Sequence, residues 1–208
     1  MKYGVIKWHM LLDTAAKVSY YGGMMSMMDH LRGRHLDMNL HTVWVDETER
    51  VATLPLWTLT GKLAGYQSYR PEASKVQKND EHGRYYTYRG DKLVVRHNQA
   101  VAVWGMESWY LSNTLFVTEG VFNAARFTRR GASAVAVLSN DPSPSTLLWL
   151  MMVRQMRPVV AVCDPGSAGA KLRKVGHTSH TVSVPGRPND DLGDAPESYV
   201  DDLLKWYL

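Results

Sequence analysis

Three uninterrupted apolar runs stand in the second half of the chain: Leu115-Phe116-Val117, Ala134-Val135-Ala136-Val137-Leu138 and Val159-Val160-Ala161-Val162-Cys163. A strand with one face in water alternates polar and apolar residues, so runs of this kind belong to a sheet buried on both faces. Helical patterns separate them. Val121 to Arg130 reads as a helix stopped by Gly131, and Ser145 to Met156 as a strongly apolar helix. A further helix is expected to begin over Ala170 to Lys174, a fourth strand at Thr181 to Val184, and a last helix at Pro196 to Trp206. The alternation predicts an α/β unit over residues 110–208, with a four-stranded, mostly parallel sheet flanked by helices.

Residues 1–109 read differently. Tryptophan, tyrosine, histidine and basic residues mix irregularly there. Strands are expected at Val43 to Asp46 and Val51 to Leu54. A hairpin is expected from Leu56 to Arg70 around Thr60-Gly61-Lys62, with further strands at Tyr85 to Tyr88 and Val101 to Trp104. Helices are expected at Asp13 to Tyr21 and Met24 to Arg32. This makes an α+β subdomain.

Cys163 is the single cysteine, which excludes an internal disulfide and a cysteine-rich zinc site and fits a reducing compartment. The apolar stretch from Leu147 to Cys163 is interrupted by Arg154, Gln155 and Arg157 and is too short and charged to span a bilayer. A soluble cytoplasmic protein is the expectation. The formal net charge of +4 suits an anionic partner without specifying one.

In parallel sheets the chemistry gathers beyond the C-terminal ends of the strands. Two acids stand there: Glu119 after the first strand and Asp164 after the third. With Asp190 and Asp191 they form an all-oxygen set of the kind that holds Mg²⁺ or Mn²⁺. Gly120 and Gly166 leave room for a phosphate or metal to approach the backbone. Acids at such positions also serve as plain helix caps.

The segment from Phe116 to Leu204 resembles the TOPRIM domain of phage and bacterial primases, topoisomerases and related nucleases. That signature is a strand ending in Glu-Gly, then a strand ending in Asp-x-Asp-x-x-Gly. Here they read Val117-Thr118-Glu119-Gly120 and Val162-Cys163-Asp164-Pro165-Gly166-Ser167-Ala168-Gly169, followed by Pro188-Asn189-Asp190-Asp191. Upstream, Leu54 to Gln67 and Val103-Trp104-Gly105-Met106 resemble segments preceding TOPRIM in phage primases. The resemblance implies the RNA-polymerase-like core of a primase, acting in phage DNA replication in the host cytoplasm. It implies metal ligation by Glu119, Asp164 and either Asp190 or Asp191, with Glu119 and Asp164 catalytic. Two positions depart from the pattern, since Asn123 and Gly166 stand where the family often has Asp. A nicking enzyme or a non-catalytic recruitment module is therefore a rival expectation.

Arg70, Lys75, Lys78, Arg84, Arg89, Lys92 and Arg96 interleave with Tyr69, Tyr85, Tyr86 and Tyr88. Cations alternating with aromatics suit single-stranded nucleic acid, though a solvated edge has the same spacing. The resemblance implies that Arg70, Lys75, Lys78, Arg84 and Lys171 meet single-stranded DNA template or nucleoside triphosphates. A single cysteine excludes a Cys₄ or Cys₃His zinc module, and no Gly-x-x-x-x-Gly-Lys-Ser/Thr occurs, so template selection and unwinding are expected from a separate helicase or polymerase. His177 and His180 lack partners for a zinc set, Cys163 reads as core, and Ser139 to Ser145 as loop and cap.

Overall fold

A computed structural model describes residues 25–58, 60–75, 79–89, 102–139, 142–165, 172–185 and 191–208. The expectations for Asp13 to Tyr21, Lys78, Lys92, Arg96, Gly166, Lys171 and Asp190 lie outside the described residues.

The first half holds helix α1 (Met27–Gly33) and an antiparallel sheet of β1 (Trp44–Asp46), β2 (Val51–Trp57), β3 (Leu63–Tyr69) and β4 (Tyr85–Arg89), in that order. Ser26 caps α1 by accepting from the Asp29 amide. Sequence reading breaks β2 at Pro55, yet the strand runs through it. β1 pairs only with Val51 to Thr53, so at Pro55 the missing N–H has no β1 neighbour to serve. Alternation puts Ala52, Leu54 and Leu56 on the buried face.

The second half holds β5 (Leu115–Thr118), α2 (Val121–Thr128), β6 (Ser133–Ala136), α3 (Pro144–Met156), β7 (Val159–Cys163), β8 (Thr178–Thr181) and α4 (Glu197–Tyr207). Its sheet is wholly parallel in the order β6-β5-β7-β8. Every residue of β5, β6 and β7 is buried, as the unbroken apolar runs require. Alternation sends their side chains to two cores. Phe116, Ala134, Ala136, Val160 and Val162 meet α2, α4 and the buried face of the first sheet. Leu115, Val117, Val135, Val137, Val159 and Ala161 meet Trp149, Leu150 and Val153 of α3.

Four local expectations are corrected. β8 lies at Thr178–Thr181, not Thr181 to Val184. It is an edge strand with an exposed polar start, while Val182 and Val184 pack into the core just beyond the ladder. Pairing there thins to a single bond from the Val182 amide to the Cys163 carbonyl at 2.9 Å and an isolated bridge at Val184. Of the strand expected over Val101 to Trp104, the described residues from Ala102 yield two isolated antiparallel bridges: Trp57 to Val103 and Trp104 to Ala136. They link the two sheets. The third strand's predecessor stops at Ala136, since Leu138 turns to φ 61°. The described part of the helix expected from Ala170 is a short 3₁₀ turn, Leu172–Lys174. Gly131 adopts φ 76° past α2, as expected of a residue after a helix. Among the described residues no helix is long and apolar enough to cross a membrane.

Candidate active site

The parallel sheet delivers its acids to one place. β5 ends at Thr118, whose hydroxyl donates to the Gly120 carbonyl at 3.0 Å, and Glu119 stands between them. Asp164 follows β7, and Asp191 precedes the buried Leu192. All three line a cleft of about 270 Å³, together with Gly120, Val121, Phe122 and Asn123 of the β5–α2 turn. The opposite wall comes from the first half: Gln67 of β3, Tyr85 of β4, Lys75, and Arg34 just after α1.

The acids are poorly compensated. Burial pushes Glu119 up to about 7, and the neighbouring Asp164 and Asp191 add to the shift. Burial pushes Asp164 up to about 6, with Asp191 reinforcing it, while Lys75 and the Asn123 amide oppose it. Asn123 Nδ2 donates to Asp164 Oδ1 at 3.1 Å. Glu119 Oε1 and Asp191 Oδ1 are buried and meet no hydrogen-bond donor. Buried oxygens of this sort are costly unless a cation or donor reaches them.

Asp191 is held in place from behind. Arg126 of α2 is 1% exposed and donates from Nη1 to the carbonyls of Leu192 and Ala195, both at 2.5 Å, and from Nη2 to Glu197 Oε1 at 3.0 Å. Gly193 completes the turn. A Cβ there would stand 2.9 Å from Asp191 Oδ1, 3.1 Å from Asn123 Oδ1 and 3.4 Å from Arg34 Nη2. Only a residue without a side chain lets these three groups close over it.

Among the described residues, no three His, Cys, Asp or Glu side chains are already closed around a common metal position. The donor set nonetheless fits a hard divalent cation. Its atoms are all carboxylate oxygens, two of them buried without partners, and the acids resist ionising together.

The structure thus brings together Glu119, Gly120, Asp164, Asp191 and Lys75 from the sequence-based set. Arg70 and Arg84 do not line the cleft. Arg84 Nε donates to the Ala73 carbonyl at 2.9 Å and its amide to Ser74, while the Arg70 amide donates to Arg84, so the pair fastens the 70–74 turn. The tyrosines divide by strand alternation. Tyr69 and Tyr85 stack at 5.2 Å on the cleft side, whereas Tyr66 stacks on Tyr88 at 5.3 Å on the other face of the sheet. His177 Nδ1 accepts from the Val159 amide and His180 bonds the Tyr199 hydroxyl, so both are structural. Arg34 and Gln67 were missed. Arg34 holds its guanidinium 4.6 Å over the Phe122 ring, and only the packing of α1 against the β5–α2 turn reveals it.

No protein-family model matches this sequence, and no curated protein does. Solved structures do match. The zinc-binding and RNA polymerase domains of the Aquifex aeolicus primase align with a TM-score of 0.57 at 11% identity, over 86% of this chain and 54% of that one. The RNA polymerase domain of Mycobacterium tuberculosis primase DnaG aligns at 0.52 and 16% identity, over 88% and 63%. A DnaG primase catalytic domain bound to single-stranded DNA aligns at 0.51 and 14% identity, over 78% and 57%. The chain therefore spans a little over half the length of these proteins. With its parallel sheet, its antiparallel sheet and the acidic cleft between them, this chain has the TOPRIM-containing fold of DnaG-type primase catalytic cores.

Proposed function

We propose that the chain is a primase-type nucleotidyltransferase core that joins ribonucleotides on a single-stranded DNA template. Two subdomains, 1–109 and 110–208, face each other across the cleft. The observation that carries this reading is the convergence of Glu119 and Asp164, at two strand ends of a primase-type fold, with Asp191 from the segment before α4; two of the three have buried unpartnered oxygens. Glu119, Asp164 and Asp191 would hold Mg²⁺ or Mn²⁺. When bound, that ion neutralises phosphate charge and orients the attacking 3′-hydroxyl.

The chain's own groups supply the rest. Arg34 and Lys75 face the acids across the cleft and meet the phosphates, Arg34 through a planar fork held flat on Phe122. Tyr85, stacked on Tyr69, gives a wall against which a base or sugar rests. A DnaG catalytic domain of this fold has been solved with single-stranded DNA, which supports a template partner here. We place the protein in phage replication in the host cytoplasm, beside a separate helicase or polymerase.

The test is a labelled single-stranded template incubated with ribonucleotides and Mg²⁺ or Mn²⁺, comparing wild type with Glu119→Gln and Asp164→Asn. Wild type is expected to make short oligomers, and both variants to lose at least about a hundredfold in rate. A shortened template instead makes the site a nuclease. Equal silence of all three proteins, with DNA still bound, makes the chain a recruitment module.

A further inference from the structure

Asn123 is pressed between two of the cleft acids. It occupies the third position of α2, lines the cleft and is only 7% exposed. Its amide points two ways. Nδ2 donates to Asp164 Oδ1 at 3.1 Å. Its Oδ1 faces the Gly193 turn, where Asp191 Oδ1 and Arg34 Nη2 also converge. An amide can give a donor to the carboxylate on one side without bringing a charge of its own. A carboxylate here would have no donor for Asp164 and would add a negative charge to a cleft that already holds Glu119, Asp164 and Asp191.

We propose that Asn123 is a positioning residue for the cation site: it fixes Asp164 through one oxygen, leaves the second for the ion, and limits the cleft to a single divalent cation. The proposal rests on the cation-binding reading above and concerns how that site is tuned. Two-metal sites need enough negative charge to hold both ions a few ångströms apart. The described carboxylates of this cleft number three, opposed by Arg34 and Lys75. With the neutral amide these five groups carry a formal balance of one negative charge, far short of the four positive charges that two divalent ions bring, and an aspartate at position 123 would deepen it.

Isothermal titration of the full chain with Mn²⁺ alone tests this, with far-UV circular dichroism to verify folding. Wild type is expected to take one ion. Asn123→Ala should take one ion about tenfold more weakly, as befits a lost hydrogen bond to a charged group. Asn123→Asp, which preserves shape, should take two. An alanine variant within twofold of wild type overturns the positioning role, and an aspartate variant that still takes one ion overturns the stoichiometric role. If alanine fails to fold, the near-isosteric aspartate variant still decides through its stoichiometry. A residue that served packing alone would shift the thermal midpoint of both variants and leave the Mn²⁺ parameters untouched. Wild type that takes no Mn²⁺ overturns the cation reading itself, a result distinct from either failure of Asn123.

Discussion

Arg126 Nη1 donates to the Leu192 carbonyl at 2.5 Å, from a guanidinium that is 1% exposed. The same nitrogen reaches the Ala195 carbonyl, so one buried cation fastens the segment that carries Asp191 onto α2. Arg126→Met keeps the volume of the stem and removes the donors. Two carbonyls then lose their partners, and the expected loss of stability is roughly 3 kcal/mol. Urea unfolding measures it. A Mn²⁺ titration of the folded variant should also show weaker binding, because Asp191 is no longer anchored; unchanged affinity would show that Asp191 keeps its place without Arg126.

Glu119 and Asp164 hold protons in the folded, metal-free protein that the unfolded chain releases. Their folded values, about 7 and about 6, lie above the ordinary 4.5 and 3.8. Their contribution to stability is therefore fully present below pH 4 or so and is lost as pH rises through 6 and 7. Thermal midpoints without divalent ions should fall between pH 5 and pH 8 more steeply for wild type than for Glu119→Gln. Added Mn²⁺ should raise the wild-type midpoint at pH 8 and hardly change it at pH 5. Parallel pH profiles for the two proteins would remove Glu119 as the source.

Gly193 tolerates no Cβ without moving the Asp191 carboxylate, whose Oδ1 would stand 2.9 Å away. The displaced group is the end of a side chain, so the fold should survive Gly193→Ala with a small change in thermal midpoint. Mn²⁺ binding should weaken several-fold, on the order of 1 kcal/mol. A variant with wild-type affinity would mean that the carboxylate relaxes at no cost to the site.

Arg34 touches Phe122 and, among the described residues, forms no ion pair with an acid, so its fork is available to a phosphate. In the proposed reaction, Arg34→Ala should raise the KM for nucleoside triphosphate by about tenfold or more, the size of a lost charge-assisted contact, and should not weaken Mn²⁺ binding, since it removes a positive charge from the cleft. Arg34→Lys should recover only part of it, since lysine lacks the planar fork. Steady-state kinetics at saturating template separates these outcomes.

The parts of the fold legible in the sequence are those where one physical cause acts alone. Burial on both faces wrote the apolar runs of β5, β6 and β7, and strand ends placed Glu119 and Asp164. Legibility failed where two causes competed. Pro55 signals a break, but it lies past the end of β1 and breaks nothing. Val182 and Val184 look like a full strand, but the ladder of β8 ends at Thr181; beyond it Val182 keeps one backbone bond to Cys163 and Val184 one isolated bridge while both fill the core. Arg70 and Arg84 have the spacing of a binding surface, yet neither lines the cleft: the Ala73 carbonyl takes Arg84 Nε, and Arg70 Nη1 is buried without a hydrogen-bond partner. Arg34 and the Asn123 to Asp164 contact depend on tertiary packing, for which no local pattern exists.

One hydrophobic core backs both walls of the cleft. Leu54, Leu56 and Tyr69 from the antiparallel sheet lie in the same cluster as Phe116, Phe122 and Val162 from the parallel one. Swinging the walls apart would strip that shared cluster bare to water, a penalty of ~25 cal/mol for each square ångström of apolar surface uncovered. The two walls of this cleft thus stand on one foundation, and neither can be displaced without disturbing what holds up the other.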